Sequence, residues 1–357
     1  MPSATFATPL PQSPRSDILE WRFPKPYHNL ILTGRSRAAS RHTGQFVIPQ
    51  LNLLLDAGLC VNNLRPKHIF LTHGHSDHAL LAPAFVTTTD PPDIFCPAEM
   101  KEAFDNFVNA KTILNKTGGL WPPSASASAP PSQEDEDGSG NGDGDGDEGN
   151  GNNKEDEEKE EGIPAMLRTH VTHPLREGDA VALRRLPASQ GWTATAFQCD
   201  HTVPCLGYLF SAVTYKLRPE YRSLSGPELR ALREEQGVQI TGPVETPVFA
   251  FLGDTTAATL AAAPHWLARE DAPVRVVITE CSFLKEEHRA QADKTKHTIW
   301  TDLEKVVRRW PRTVFVLMHF SLRYSDEEVR RFFEEMGDEA PGNVVIWVDG
   351  GGKMGAV

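Results

Sequence analysis

The chain has 357 residues, enough for one large domain or two small ones. It contains no run of 18 apolar residues, which excludes a membrane-spanning helix of ordinary length. Its formal net charge of −12 at pH 7 argues at first against a nucleic-acid substrate, because phosphate binding requires positive potential.

An acidic tract accounts for that charge. Residues 134–161 hold 14 acidic side chains and two lysines, so the rest of the chain is neutral overall and has room for local basic patches. The tract is rich in Gly, Asn, Asp and Glu and lacks aromatic residues, so it cannot bury enough apolar surface to fold. We predict that residues 118–162 form a disordered insertion, to which a basic partner is one candidate ligand.

The predicted elements lie on both sides of this insertion. Residues 1–20 are expected to be a flexible N-terminus, and apolar side chains at helical spacing predict a helix at 98–114. Short apolar runs predict a hairpin at 46–49 and 52–56, and strands at 206–212, 248–252, 274–279, 314–318 and 344–348. Further helices are predicted at 226–236, 297–310 and 326–336. Residues 21–117 and 163–357 would then form a single domain of mixed α and β structure.

The clearest motif follows the apolar run at residues 68–72. It reads His73-Gly-His75-Ser-Asp77-His78, which puts four potential metal ligands on one loop at the end of a predicted buried strand. His73 and His75, two residues apart, can aim both imidazoles at one ion, while Asp77 and His78 point to a second. Imidazole nitrogen and carboxylate oxygen are good donors for Zn²⁺. The spacing therefore predicts a metal site with two ions.

A site of this kind needs further ligands from distant segments. Three other apolar runs each end in a suitable side chain, namely His201, Asp254 and His319. Alone, each of these would more often be an ordinary loop residue. Ligands collected at the ends of several strands are one way for a sheet to build a rigid site, so their shared context makes them candidates.

The order of these motifs resembles that of metallo-β-lactamase-fold proteins and, more narrowly, the ribonuclease Z family in its short, plant-like form. The resemblance is carried by H-x-H-x-D-H, Asp200-His201-Thr-Val-Pro, Phe251-Leu-Gly-Asp254-Thr, Glu280-Cys-Ser-Phe283 with Lys296-His297-Thr298, and His319-Phe-Ser-Leu-Arg-Tyr324. It implies an α/β fold of the four-layer αββα sandwich type, an arrangement that composition and periodicity do not show.

The resemblance also implies a mechanism. One Zn²⁺ would bind His73, His75 and His201, a second would bind Asp77, His78 and His319, and Asp254 would lie between the two, with Mn²⁺ as the other metal such a site would take. A metal-bound hydroxide oriented by Asp77 would attack a phosphodiester, and His297 paired with Glu280 would protonate the leaving 3′-oxygen. The implied activity is a zinc-dependent endoribonuclease that removes the 3′ trailer from precursor tRNA.

Two local departures from the family pattern affect the site. Ala79-Leu80-Leu81 stands where the family usually has a Gly-Gly-Leu-Pro-like stretch, so the backbone behind the site must accommodate side chains. Thr279 precedes Glu280 where the family usually has a histidine, which keeps the acid and loses its neighbour. Glu280 can still pair with His297.

A third departure concerns the grip on the substrate. Many members of the family carry a long arm that holds the body of the tRNA, but the corresponding interval, residues 211–247, is short. Its basic side chains would either meet phosphates or be balanced by acidic neighbours on a solvated helix. These basic residues are Lys216, Arg218, Arg222, Arg230 and Arg233, and the acidic ones are Glu228, Glu234 and Glu235.

Two other functions stay open on the sequence. One keeps the fold and the metals but hydrolyses a small ester, thioester or phosphodiester. The other is a noncatalytic binding protein whose site has decayed, against which the full set of seven candidate ligands argues. A homodimer is expected only by analogy with the family.

The cysteines bear on location. There are five, an odd number without a C-x-x-C pair, which is typical of reduced thiols in an intracellular protein. We therefore expect the protein in the cytoplasm or nucleus. Cys199 and Cys205 flank His201 and are alternative metal ligands, but both lie in strand-like stretches where buried cysteine is common.

Overall fold

The computed structural model describes residues 5–9, 18–35, 37–38, 44–58, 65–119, 164–186, 191–270 and 273–349. Its strands are β1 (Thr5–Pro9), β2 (Leu19–Arg22), β3 (Ile31–Arg35), β4 (Arg37–Ala38), β5 (Gln45–Ile48), β6 (Leu53–Leu55), β7 (His68–Phe70), β8 (Asp93–Pro97), β9 (Val171–Leu175), β10 (Ala180–Ala182), β11 (Gly191–Gln198), β12 (Leu206–Leu217), β13 (Thr241–Phe251), β14 (Val276–Glu280), β15 (Val314–Met318), β16 (Phe320–Ser321) and β17 (Val344–Asp349). Its α-helices are α1 (Ser76–Ala79), α2 (Lys101–Thr117), α3 (Gly226–Glu234), α4 (Ala258–Ala261), α5 (His265–Ala268), α6 (Arg289–Thr295), α7 (Trp300–Arg309) and α8 (Asp326–Glu335).

The long strand array forms two sheets that share β1. The N-terminal sheet has the strand order β1-β2-β3-β5-β6-β7-β8-β9, and the C-terminal sheet has the order β10-β11-β12-β13-β14-β15-β17-β1. β1 pairs antiparallel with β2 and parallel with β17, so it joins the two sheets. Neighbours are parallel from β6 to β9 and from β13 through β14 and β15 to β17. Each sheet therefore has a group of strands that end at one common edge.

Three apolar clusters define four layers. Between the sheets, Phe46 of the N-terminal sheet packs edge-on against Phe251 and Trp347 of the C-terminal sheet, with ring centroids 6.2 and 5.0 Å away. On the outer face of the N-terminal sheet, α2 buries Phe104 and Val108. On the outer face of the C-terminal sheet, α7 and α8 bury their apolar sides. The layers therefore follow one another in space in the order helix, sheet, sheet, helix, which confirms the predicted αββα sandwich.

Capping residues fix where two of the helices begin. α8 starts at a capping box, in which Ser325 Oγ accepts from the amide of Glu328 at 3.2 Å and the Glu328 carboxylate accepts from the amide of Ser325 at 2.7 Å. α3 starts at the same arrangement between Ser225 and Glu228. Both helices end within two residues of their predicted ends, and the strands predicted at 314–318 and 344–348 correspond to β15 and β17.

α7 begins later than predicted, at Trp300 and not at His297. The amide of Thr298 donates to the buried carboxylate of Glu280 at 3.1 Å, and Phe283 forms an isolated parallel bridge with Ile299. These contacts hold the residues before the helix in an extended conformation. These tertiary contacts, and not the helical spacing of apolar side chains, therefore determine where α7 begins.

The two segments expected to be flexible differ in the structure. Thr5–Pro9 forms β1, because β2 and β17 pair with its backbone on both sides, a pairing that local sequence does not reveal. The predicted insertion, apart from Gly118 and Gly119, lies outside the described residues. α2 ends where Gly118 adopts a φ of 66°, the left-handed conformation that favours glycine.

None of the helices in the described ranges is long and apolar enough to cross a membrane.

Candidate metal centre

The candidate ligands lie on loops at one edge of the sandwich. The loop 73–78 follows β7, and its second half forms the short helix α1. His201 follows β11, while Asp254 and His319 follow the parallel strands β13 and β15. Because parallel strands end at the same edge, their carboxyl-terminal loops converge there. The structure thus brings together side chains that lie far apart in sequence.

Four of these side chains form a first group. Nδ1 of His75 lies 3.1 Å from Nε2 of His73 and 3.2 Å from Nε2 of His201. Oδ2 of Asp254 lies 3.8 Å from Nε2 of His73 and 3.9 Å from Nε2 of His201. Three imidazoles and one carboxylate therefore face one point.

The remaining three side chains form a second group beside the first. Nε2 of His78 lies 3.3 Å from Nε2 of His319, and Oδ2 of Asp77 lies 3.5 Å from that same His319 nitrogen. Oδ1 of Asp254 is 3.3 Å from Nε2 of both histidines. Asp254 therefore lies between the two groups, with one oxygen toward each.

Acceptors behind two of the imidazoles fix their tautomers. Nδ1 of His78 lies 2.8 Å from Oδ2 of Asp56, and Nδ1 of His201 lies 3.1 Å from the carbonyl oxygen of Lys296. A carboxylate and a carbonyl can only accept, so Nδ1 carries the proton in both rings. Nε2 then presents a lone pair to the centre, which is the orientation that outer partners give to metal-binding histidines.

Hydroxyl groups fix the tautomers of two more imidazole rings. The Oγ1 of Thr72 donates to Asp56 and lies 3.0 Å from Nδ1 of His73, so this nitrogen donates to it. The hydroxyl of Ser282 donates to Glu280 at 2.6 Å and lies 3.1 Å from Nδ1 of His319. Four imidazoles therefore aim an unprotonated Nε2 inward.

This donor set fits divalent cations. With the tautomers above, the facing Nε2 atoms of His78 and His319, 3.3 Å apart, have no proton between them. Oδ1 of Asp254 is buried and has no hydrogen-bond partner within the described part of the chain. Convergent lone pairs without donors are costly to bury unless a cation lies among them. Nitrogen and oxygen donors without a thiolate suit Zn²⁺ or Mn²⁺.

The charge states in the centre agree with this fit. Burial lowers the pKa of His73 and of His201, so both rings are neutral, the form that binds a metal. Burial raises the pKa of Asp254, but the interactions with His319 and His78 outweigh it and hold the pKa well below its usual range. Asp254 is therefore an ionised carboxylate.

Glu280 and His297 form a pair beside the metal ligands. Nδ1 of His297 lies 2.8 Å from Oε1 of Glu280 and 3.9 Å from Oδ2 of Asp254. Burial lowers the pKa of His297, but the negative charge of Glu280 outweighs it and raises the pKa to about 9. The imidazole is therefore protonated at neutral pH, as a proton donor must be.

Two glycines allow the loops of the centre to pack this closely. A Cβ on Gly253 would lie 2.3 Å from Oγ1 of Thr72, and a Cβ on Gly58 would lie 1.7 Å from the carbonyl oxygen of Asp77. Neither contact is sterically possible, so larger residues there would displace the loop that carries His73 to His78.

Three residues of the centre are missing from the predictions. Asp56, Thr72 and Ser282 orient imidazoles and are all buried. Asp56 carried one signal in the sequence, since it ends an apolar run just as the candidate ligands do. Cys199 and Cys205 are buried thiols, and within the described ranges neither belongs to a cluster of possible metal ligands.

The interval 211–247 lies largely in a hairpin that projects beyond the sheet. β12 and β13 pair from Tyr208 opposite Phe251 out to Leu217 opposite Thr241, and α3 lies in the connection between them. The outer halves of both strands are exposed, and β13 is longer than the predicted 248–252. On α3, the side chains of Arg230 and Arg233 lie 3.1 and 2.8 Å from the carboxylate of Glu234, which balances two of the basic residues.

Comparison with known proteins finds one superfamily match and several plant relatives. Residues 55–176 match the metallo-beta-lactamase superfamily. The chain is 25% identical to the chloroplastic tRNase Z TRZ2 of Arabidopsis thaliana, over 87% of this chain and 73% of that protein. It is 22% identical to tRNase Z TRZ1 of the same plant, over 87% and 92%, and 24% identical to a nuclear ribonuclease Z of Triticum aestivum, over 57% and 88%.

Among solved structures, the short form of human tRNase Z is 15% identical and has a TM-score of 0.42 over 88% of this chain and 95% of that chain. The superfamily match and the three plant relatives confirm the resemblance to ribonuclease Z and to metallo-β-lactamase-fold proteins. They agree with the prediction of a metal-dependent hydrolase. The roles of the individual side chains stay predictions.

Proposed function

We propose that the protein is a metal-dependent endoribonuclease that removes the 3′ trailer from precursor tRNA. The observation that carries the proposal is the convergence of seven histidine and aspartate side chains at one sheet edge, with the paired Glu280 and His297 beside them. The names of the three plant relatives, tRNase Z and ribonuclease Z, support tRNA as the substrate.

Two Zn²⁺ ions, or Mn²⁺ in their place, are the proposed cofactors. The first group of ligands would be His73, His75 and His201, the second would be Asp77, His78 and His319, and Asp254 would serve both. Cations in these positions would supply an activated water and offset negative charge on the phosphate in the transition state.

Asp77 is the ligand placed to act on the nucleophile. Its side chain is 17% exposed against 3% for Asp254, so it faces the opening of the centre. Burial raises the pKa of Asp77, but the nearby His319 and His78 outweigh it and hold the pKa below its usual value. An ionised carboxylate at this position can orient the attacking water and accept its proton.

His297 would act on the leaving group. In an in-line displacement the departing 3′-oxygen lies opposite the nucleophile and needs a proton as its bond to phosphorus breaks. The protonated imidazole, held by the buried carboxylate of Glu280 at 2.8 Å, can supply it. The products would be a tRNA with a 3′-hydroxyl and a trailer with a 5′-phosphate.

Cleavage of a 5′-labelled precursor tRNA with Zn²⁺ or Mn²⁺ supplied tests the proposal. We expect a single cut after the discriminator nucleotide, lost in Asp77→Ala and retained in His28→Ala, which alters an exposed histidine far from the centre in sequence. Protein that holds two metals and makes no cut would instead be a hydrolase of a small ester, thioester or phosphodiester. Protein that neither binds metal nor cleaves the precursor tRNA would be a noncatalytic binding protein.

The role of His297 has its own test. His297→Ala should lower turnover far more than it lowers zinc content, because the ring is not among the proposed ligands. Equal loss of both would make His297 a structural residue of the centre.

Assembly and location complete the proposal. We propose a homodimer, checked by light scattering after size-exclusion chromatography, and a cytoplasmic or nuclear location. The relatives are named chloroplastic and nuclear, so localisation of a tagged chain decides the compartment. A basic partner for the acidic insertion would be sought by comparing pull-downs with the full chain and with residues 134–161 removed.

A further inference from the structure

A groove leads away from His297 between two helices of the outer layer. It lies between α4 and α7, has a volume of about 480 Å³, and has His297 at one end and Trp310 among its lining residues. From Ile299, the residue before α7, to Trp310, the residue after it, the groove follows a stretch of roughly 16 Å at 1.5 Å per residue. None of the proposed metal ligands lines it.

The chemistry at the His297 end limits what can enter the groove. If His297 protonates the leaving 3′-oxygen, that oxygen belongs to the last nucleotide of the mature tRNA. The ribose of this nucleotide must then lie against His297. A cavity of about 480 Å³ is within the usual range for small-ligand sites and is too small for a duplex stem.

An acceptor lies at the same end. The amide of His297 donates to the carbonyl of Ala292 at 3.0 Å, which places the next residue, Asp293, beside it, and both His297 and Asp293 line the groove. Asp293 is exposed, and an ionised carboxylate can only accept hydrogen bonds. A ribose 2′-hydroxyl is a donor that DNA lacks.

The walls of the groove offer a surface for a base and cations for a phosphate. Ala257, Ile299 and Val306 supply apolar surface without polar side-chain atoms. Lys305 is 76% exposed, and the guanidinium of Arg309 lies 4.9 Å from the ring centre of Trp310.

The remaining acid of the groove has a cation on each side. Asp302 also lines the groove, where Lys305 donates to it at 3.1 Å and Arg289 donates to it at 2.7 and 3.2 Å from the α6 side. A phosphate near Lys305 and Arg309 would therefore draw Lys305 away from Asp302, whose carboxylate would keep Arg289 as its partner.

We propose that this groove binds the last nucleotide of the tRNA, with Asp293 accepting from its 2′-hydroxyl and Lys305 and Arg309 contacting its 5′-phosphate. The inference rests on the proposed function. These three are positioning residues, since none of them acts on the reacting atoms. They would place the 3′-oxygen within reach of His297.

A substrate change combined with a protein change tests the role of Asp293. Precursor tRNA with a single 2′-deoxynucleotide at the discriminator position should be cleaved about tenfold less efficiently by the natural protein, the effect of one lost hydrogen bond to a charged acceptor. Asp293→Asn should lower cleavage of the all-ribose substrate and reduce the extra penalty of the deoxy substrate. An equal deoxy penalty in both proteins would overturn the assignment.

Binding without turnover tests the cations. Fluorescence anisotropy with a labelled RNA that ends in the discriminator nucleotide, with its 3′-hydroxyl, should show several-fold weaker binding to the double variant Lys305→Ala, Arg309→Ala. Arg331→Ala on α8, with a 59% exposed side chain outside the groove, is the matched control and should bind as the natural protein does. Lys305→Arg should restore most of the binding lost in Lys305→Ala.

The outcomes separate this inference from the function on which it rests. If no precursor tRNA is cleaved at the discriminator position, the proposed function fails. If cleavage is normal while the double variant binds the RNA end as tightly as the Arg331 control, the groove assignment alone fails. Thermal unfolding of each variant shows whether a loss of binding reflects a loss of fold.

Discussion

The two ends of β13 lie in very different surroundings. At its carboxyl end, Phe251 is buried between the sheets and the chain continues into Asp254, whose side chain is 3% exposed. At its amino end the strand pairs with the outer part of β12, where Tyr215 is 67% exposed. One strand therefore joins the metal centre to the projecting hairpin. At the first end the side chains are buried and held by defined contacts, whereas at the second they largely face water.

This difference predicts where substitutions matter. At the centre, removal of one polar group leaves other polar groups buried without partners. The free-energy cost of such unpaired groups is far larger than the stability that an exposed contact contributes. On the hairpin, a lost contact is replaced by water, so only functions that use the surface should change.

Removal of the shared carboxylate should have the largest effect. Asp254→Ala takes away a carboxylate that faces both sets of imidazoles, so cleavage should fall by about a thousandfold or more and bound metal should fall with it. Turnover and metal content measured on the same sample check this. Asp338→Ala, at an exposed position, is the control. Full metal content in Asp254→Ala would contradict the proposed ligand set.

Asp56→Asn should have the next largest effect, although Asp56 is not a predicted ligand. Its carboxylate accepts from His78 and from the amide and hydroxyl of Thr72. Loss of such an outer partner typically lowers metal affinity or activity about 10- to 100-fold. Metal titration with turnover measured at each point checks this. Unchanged affinity would mean that His78 is oriented by other contacts.

Neutralising the hairpin should affect only large substrates. In a variant with Arg222, Arg230 and Arg233 changed to Ala, KM for precursor tRNA should rise about 3- to 10-fold and depend less on salt, since fewer cations meet phosphates. Hydrolysis of a small phosphodiester should not change. Equal KM values for tRNA in both proteins would favour the solvated helix face, in keeping with the pairing of two of these arginines to Glu234.

The smallest effect is expected from a matched pair of tyrosines on β12. Tyr208 is fully buried and its hydroxyl donates to the carbonyl of Leu71 at 2.7 Å, so Tyr208→Phe should lower the free energy of unfolding by about 1–3 kcal/mol. Tyr215→Phe, on the exposed end, should change it by less than about 0.5 kcal/mol. Urea unfolding of both variants measures the difference. Similar losses would show that the outer hairpin is part of the cooperative fold.

The same contrast explains what could be predicted from the sequence. The loop 73–78 and the apolar runs before His201, Asp254 and His319 are local signals, and the structure brings their side chains within a few ångströms of one another. The side chains of Glu280 and His297 also lie close together, as predicted.

What the sequence did not predict depends on contacts between distant segments. β1 exists because two other strands pair with it, and Asp56 orients His78 across 22 residues of chain. The late start of α7 follows from one amide of Thr298 that binds Glu280. In each case the contact that determines the local structure is made with a segment distant in sequence. Local propensity and periodicity therefore cannot predict it.

The close contact between Gly253 and Thr72 has a consequence for the order of events during maturation. It joins the loop after β7 of the N-terminal sheet to the loop after β13 of the C-terminal sheet, and nearby His78 and His319 meet although 241 residues separate them. Contacts so distant in sequence form late in folding, because most of the chain must first be closed into place. A nascent chain that has not yet released β15 from the ribosome would lack a ligand for its second cation. Full metal loading would then mark the completion of folding and would not serve to start it.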